Sequence, residues 1–290
     1  MNDRYGVDPC AATSVTELAI LLRQFGPEHG RFMFDFPPDW YTRVRSQFQG
    51  AGDVKRSQLT ELWLRRAKWS LLPTKARYSN GQTWAHNAAL LFNDATGLIG
   101  PTGSKPPCRA LEDVLVDPTA LPDSRGGHIP RIPQAYADVA KPLMQISRKV
   151  VLIDPYFCLR SLPKGSSKTV PDRRYAQSLK ALIQVAHAER KVEVFKLMVS
   201  PNVALVDDKD GTQFKADLSE MLEDVGATGI SVEYALLEAT HSLDRHPRYL
   251  LGNACGLRFD WGFATKNDGS TNHVEWVGSA ALKPLLDRFM

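Results

Sequence analysis

The chain has 290 residues, 43% apolar and 23% charged, close to the globular average, which excludes a disordered or fibrous protein and leaves room for two domains. A formal charge of +4 and a pI near 8.8 are compatible with a polyanionic partner without requiring one. No apolar stretch approaches the roughly 20 residues of a membrane span, the first residues lack the apolar core of a secretory signal, and four scattered cysteines give neither a zinc framework nor a disulfide scaffold, so a cytoplasmic protein with free thiols is expected.

In chain order, Ser14-Val-Thr-Glu17 followed by Leu18, Leu21, Leu22 and Phe25 predicts a capped amphipathic helix that Gly26-Pro27 ends. Pro37-Pro38-Asp39-Trp40 opens a second helix with Val44 and Phe48 at helical spacing, closed by Gly50-Ala51-Gly52. A third is expected from Lys55 to Trp69, with Leu59, Leu62 and Trp63 as its apolar stripe and Arg65, Arg66 and Lys68 near its C-terminus, where cations suit the helix dipole. A further helical segment, Trp84 to Asn93, follows the turn Ser79-Asn80-Gly81. Residues 1–100 thus predict a smaller, mainly helical N-terminal domain, compatible with a winged-helix-like module. The many prolines and glycines of residues 101–133 predict a connector, within which Ala110–Val116 could form a short element.

Residues 134–290 alternate. A helix over Gln134–Ser147 leads to Lys149-Val-Val-Leu-Ile-Asp154, an apolar run that fits a buried strand. Helices Arg174–Glu189 and Thr212–Val225 lead to strands Val192–Val199 and Ile230–Tyr234. Strands Arg248–Leu251, Leu257–Phe263 and His273–Val277 then predict an antiparallel meander, and Ser279–Phe289 a last helix. The fold class expected is α/β, a sheet flanked by helices.

Two motifs carry chemistry. In His246-Pro-Arg248 the two side chains share one face of a strand, where an imidazole could attack phosphorus while a guanidinium grips the phosphate oxygens. Taken alone, such a pair is more often a core histidine and a solvated arginine. The second motif, Asp154-Pro155-Tyr156-Phe157, releases a carboxylate and a phenol at a strand end, where α/β sheets meet their ligands.

Together with the strand around Val192–Val199 and the segment from Gly256 to Phe263, these motifs resemble the phospholipase D-like superfamily. The likeness is to its single-motif branch, typified by the C-terminal domain of microtubule-interacting-and-transport (MIT) domain proteins, and it covers residues 134–290. The resemblance implies a phospholipase D-like sheet, with His246 as nucleophile through a phosphohistidine and Arg248 in place of the phosphate-binding lysine. Asn253 falls where catalytic members carry an aspartate, a change that removes the charge supporting an imidazolium. Asp154, Tyr156 and His241 are the further phosphate-site candidates, and His273 is another candidate acid or base. Gly269-Ser270-Thr271-Asn272 lies too far along the chain to be the family's second element and is set aside. A two-histidine site would require a homodimer, as some single-motif nucleases form.

The resemblance implies a metal-independent phosphodiesterase or nuclease acting on nucleic acid, in a context of prokaryotic defence. The alternative is a non-catalytic module docking anionic phospholipid or a protein, or a structural subunit of a larger assembly. No metal and no cofactor is expected. In the N-terminal region, cations from Arg43 to Arg77 interleave with Trp63, Trp69 and Tyr78, a pattern that suits nucleic-acid contact through Arg65, Arg66 and Lys68 and equally suits an ordinary solvated helical face.

Overall fold

The computed structural model describes residues 2–65, 69–104, 107–117, 121, 124–205, 208, 210–237 and 248–290, with the backbone alone for Arg65 and Ser279. It divides into two compact units, Met1–Arg125 and Gly126–Met290.

The first unit corrects the expectation of a mainly helical or winged-helix-like module. It is built on five parallel strands, β1 (Asp3–Val7), β2 (Arg31–Phe34), β3 (Leu71–Leu72), β4 (Gly97–Gly100) and β5 (Cys108–Ala110), in the order β3-β2-β1-β4-β5. The helices are α1 (Val15–Arg23), α2 (Trp40–Gln47), α3 (Asp53–Arg65), α4 (Trp84–Ala88) and α5 (Leu111–Val116). The strands escaped sequence reading because they are short and buried: all four residues of β2 are inaccessible, so no alternation marks them. The predicted helices are present. Ser14 caps α1 by accepting from the Glu17 N–H at 3.2 Å, and the Glu17 carboxylate accepts from the Thr13 N–H and hydroxyl at 2.7 and 2.8 Å. Leu18, Leu21 and Leu22 of α1 pack with Tyr5, Val7, Met33 and Ile99 of the strands, and Trp40, Val44 and Leu59 complete the same core.

Residues 101–133, expected as a connector, instead carry β5 and α5 of the first unit and β6 (Gly126–Pro130) of the second. The second unit continues with α6 (Pro133–Ile146), β7 (Lys149–Ile153), a small hairpin β8 (Arg160–Ser161) and β9 (Val170–Pro171), α7 (Arg173–Glu189) and β10 (Val194–Val199). After the short α8 (Pro201–Ala204) come α9 (Thr212–Val225), β11 (Ser231–Leu236), β12 (Arg248–Leu251), β13 (Cys255–Phe259), β14 (Thr271–Gly278) and α10 (Ser279–Phe289). The protein is therefore mixed α/β, with one parallel sheet and one larger mixed sheet.

The seven strands of the second sheet run β11-β10-β7-β12-β13-β14-β6. The first three are parallel, and from β7 to β6 each neighbour is antiparallel. Pairing of Tyr249 with Ile153 and of Leu250 with Leu152 sets the start of β12 beside the end of β7. The end of β13 and the start of β14 fall at the same margin, since Arg248 pairs with Phe259 and Phe259 with Val274. One face buries Val150, Leu152, Phe195, Leu197, Leu250, Phe259 and Trp276. On the other, Leu282 and Phe289 of α10 cover Val151, Ile153, Met198 and Leu251. Among the described residues no helix is long and apolar enough to cross a membrane.

Candidate functional site

At this margin the chain leaves β7 through Asp154, which is wholly buried. One carboxylate oxygen accepts from the Tyr156 N–H at 3.0 Å, and the other from the Phe263 N–H at 3.2 Å. Arg248 Nε lies 3.7 Å from Oδ1 of the same carboxylate, an ion pair too long for a hydrogen bond. Burial pushes the Asp154 carboxyl up to about 6, opposed by the Tyr156 N–H, the Arg248 charge and the Phe263 N–H. Burial likewise raises the Tyr136 and Tyr175 phenols and pushes the Cys158 thiol up to about 12. A buried carboxylate with a raised pKa beside a single arginine is a common mark of a functional site.

Arg248 is held on three sides. Its guanidinium stacks over the Tyr156 ring at 4.8 Å, Nη1 donates to the Asp260 carbonyl at 2.7 Å, and Asp154 lies beneath Nε. Nε has no hydrogen-bond partner among the described residues, and none of them accepts from Nη2. Such an arginine is pre-oriented at little entropic cost; Nε is itself buried, and it is the Nη end of the fork that is left for an acceptor.

The first five residues of the loop after β13 are fixed by side chains. The Asp260 carbonyl accepts from Arg248, the Trp261 N–H donates to Asn272 Oδ1 at 3.0 Å, and the Gly262 carbonyl accepts from Asn272 Nδ2 at 2.8 Å and Tyr136 Oη at 3.2 Å. The Phe263 N–H donates to Asp154, and the Ala264 carbonyl accepts from Arg131 Nε and Nη2 at 3.1 and 2.9 Å. Asn272 is fully buried, whereas Trp261 is 65% exposed and Tyr156 44%. Five successive residues are therefore clamped from behind while one indole stands in solvent. Asp260 also meets His273 Nδ1 at 3.4 Å, and the His273 ring packs edge-on against His128 at 5.2 Å.

The structure thus brings together three of the residues expected from sequence, Asp154, Tyr156 and Arg248. It separates Asn253, which lies past the opposite end of β12. There Asn253 Oδ1 accepts from the Arg148 and Lys149 N–H groups at 2.7 and 3.3 Å. Placing it in a catalytic site is corrected by strand geometry: at about 3.3 Å per residue, the five steps from Arg248 span the sheet. His241 and His246 lie outside the described residues, as do Arg66, Lys68 and the Arg65 side chain. Tyr136, Trp261, Gly262 and Asn272 were not anticipated. Asn272 belongs to the Gly269–Asn272 motif set aside above, and Gly262, directly after a tryptophan at a strand end, was a readable sign of a tight turn.

In the first unit, the aromatic side chains among the cations have packing partners. Trp63 stacks on Tyr41 at 3.7 Å, and Tyr78 lies edge-on to Phe36 at 5.2 Å beneath the Arg43 guanidinium. Arg43 is itself bonded to Asp39 and Asn80. A groove of about 610 Å³ opens elsewhere, between α1 and α3, over Ala19, Ile20 and Leu62 and rimmed by Arg23 and Lys55. Asp35, after β2, is pushed up to about 6, chiefly by burial. Among the described residues no cluster of three or more His, Cys, Asp or Glu is arranged to hold a metal ion.

Neither a family model nor a curated protein matches the chain. Among solved structures, it is similar to that of TrmBL2, described as an archaeal chromatin protein with a novel mode of DNA binding, at 14% identity over 87% of this chain and 80% of that one. The TM-score is 0.30, too low to carry an argument about fold or function.

Proposed function

We propose that the second unit is a phospholipase D-like domain whose sheet margin binds a phosphodiester of nucleic acid through Arg248. The observation that carries this reading is the arginine itself, stacked on Tyr156, backed by the buried Asp154, and keeping part of its planar fork unbonded. Arginine in this state suits phosphate better than lysine, because two parallel N–H groups match two phosphate oxygens. The resemblance in sequence supports the family. Arg173 adds positive charge at the start of α7, where the Arg174 carbonyl accepts from the Thr265 N–H at 3.1 Å next to the clamped loop; Arg174 itself is paired with Asp172.

In this reading His246, two residues before Arg248, is the nucleophile if cleavage occurs, and a second histidine from a twofold-related copy would protonate the leaving oxygen. A binding module without hydrolysis is the second reading. It is favoured by the position of Asn253, which is engaged with the start of β7 and provides no carboxylate to support an imidazolium.

Labelled single- and double-stranded DNA and RNA incubated in EDTA with the parent protein, His246→Ala and Arg248→Gln test the proposal. Salt-sensitive binding that Arg248→Gln loses is the expected result. Cleavage abolished in His246→Ala would make the protein a metal-independent nuclease. Binding that survives unchanged in Arg248→Gln would remove the site.

A further inference from the structure

We propose that Trp261 and Tyr156 flank Arg248 as a platform for unpaired nucleobases, so that the phosphodiester engaged there belongs to a single strand. This inference rests on the phosphodiester reading above and specifies its substrate class.

The argument begins with a cost. An indole left 65% exposed forgoes most of the burial that would stabilise it, and the loop that presents it is not loose. Backbone groups of Asp260, Trp261, Gly262, Phe263 and Ala264 are each held by a side chain of Arg248, Asn272, Tyr136, Asp154 or Arg131. An aromatic ring on a fixed base loses little entropy when a flat partner stacks on it. The Asp260 carbonyl that receives Arg248 directly precedes Trp261, so the residue that carries the exposed indole follows the one that anchors the cation. Tyr156, under the guanidinium, offers a second aromatic edge.

Phosphate next to a π-face is the repeating chemistry of a nucleic-acid strand. In a duplex the base faces are stacked against each other and unavailable to Trp261. An unpaired strand exposes them, and stacking on aromatic side chains tolerates any base. A phospholipid bilayer would supply phosphate as well, but as an anionic plane that must also accommodate the carboxylates of Asp260 and Asp268 around the same loop. A single strand meets that loop one phosphate at a time instead of as a plane.

The test uses the full chain and four probes: a fluorescein-labelled twenty-nucleotide oligo-dT, an abasic oligomer of the same length, a duplex of that length, and phosphatidylcholine–phosphatidylserine vesicles. Trp261→Ala, at an exposed position, is checked for an unchanged circular dichroism spectrum, and Trp261→Phe serves as the conservative variant. The parent should bind oligo-dT about tenfold or more tighter than the abasic oligomer. Trp261→Ala should remove most of that difference, the remainder staying with Tyr156, while leaving abasic binding unchanged, and Trp261→Phe should restore most of what is lost. Equal binding of oligo-dT by the parent and Trp261→Ala overturns the platform. So does equal loss on both oligomers, a preference for the duplex, or vesicle binding that depends on Trp261. In those cases Arg248→Gln still judges the phosphodiester reading separately, since only that reading requires Arg248 for the abasic oligomer.

Discussion

Gly262 closes directly over Asp154: a Cβ at position 262 would stand 2.6 Å from Asp154 Oδ2 and 3.3 Å from Arg248 Nε, on a backbone with φ of +72°. Gly262→Ala must therefore both adopt a left-handed conformation and displace the carboxylate. It is expected to cost about 2–4 kcal/mol, measured by urea denaturation, and to weaken polyanion binding in the fraction that stays folded. A substitution within about 0.5 kcal/mol of the parent would show that the loop is less constrained than its hydrogen bonds imply.

Asp154 makes stability depend on pH in the direction opposite to most salt-bridged carboxylates. Its pKa is raised in the folded protein to about 6 from an ordinary value of 3.8, so between these values the folded state holds a proton that the unfolded state has released. Stability is therefore fullest below about pH 4 as far as this group is concerned, and declines as pH rises to 6, by about 3 kcal/mol from the 1.36 kcal/mol equivalent of each pKa unit. Asp154→Asn removes this decline. Comparing the denaturation midpoints of parent and variant from pH 4 to 7 isolates the contribution from that of Asp35, which is shifted in the same direction.

The same carboxylate competes with a bound phosphate for the charge of Arg248. The titrating and charged groups around it include Arg248, Tyr136, Cys158, Tyr175 and Arg174, and none of these is placed near 6; Asp35, shifted to the same value, belongs to the first unit. Oligonucleotide affinity should rise by severalfold as pH falls from 7.5 to 5.5, and the rise should vanish in Asp154→Asn. Fluorescence anisotropy at fixed ionic strength measures it; an equal rise in both proteins would assign the effect elsewhere.

Asn253→Ala should lower stability by about 1–2 kcal/mol through loss of its bonds to the Arg148 and Lys149 N–H groups, with polyanion affinity unchanged. Asn253→Asp keeps the acceptor and should be close to neutral. A loss of affinity in Asn253→Ala at equal folded fraction would return this residue to the site.

Asn272→Ala removes the partner of the Trp261 N–H and one of the two donors to the Gly262 carbonyl inside the protein, and should cost about 2–3 kcal/mol while also reducing affinity. The joint loss, read by denaturation and by anisotropy, separates it from Asn253→Ala.

What the sequence revealed follows local pattern closely. Lys149–Asp154 was readable as a strand with a carboxylate at its end because five of its residues are apolar or aliphatic-stemmed and a proline follows. Thr212–Val225 and Arg173–Glu189 were readable from helical spacing. The register that sets Arg248 beside Asp154 is a long-range pairing that no local pattern encodes. Asn253 was misplaced because a motif specifies spacing along a chain, whereas a four-residue strand carries its two flanks to opposite margins. The parallel strands of the first unit, some only two to four residues long, offered neither alternation nor length. Asn272 reads as part of a polar loop too far along the chain for the motif, and its role depends on the return of β14 to the end of β13.

The short strand β6 has a bearing on how the second unit can be handled. Gly126–Pro130 pairs with Thr271–Glu275 of β14 and is the last strand on that side of the sheet. A fragment begun at Gln134, the start of the region the sequence marks as a domain, would strip this cover and leave a long row of unsatisfied N–H and C=O groups on β14. Such a row is a template for recruiting strands from other molecules. With two glycines at its head and a proline at its tail, β6 is itself a poor template. Fragments starting at Gly126 should remain monodisperse where those starting at Gln134 aggregate, which makes five residues of apparent linker the guard of the sheet.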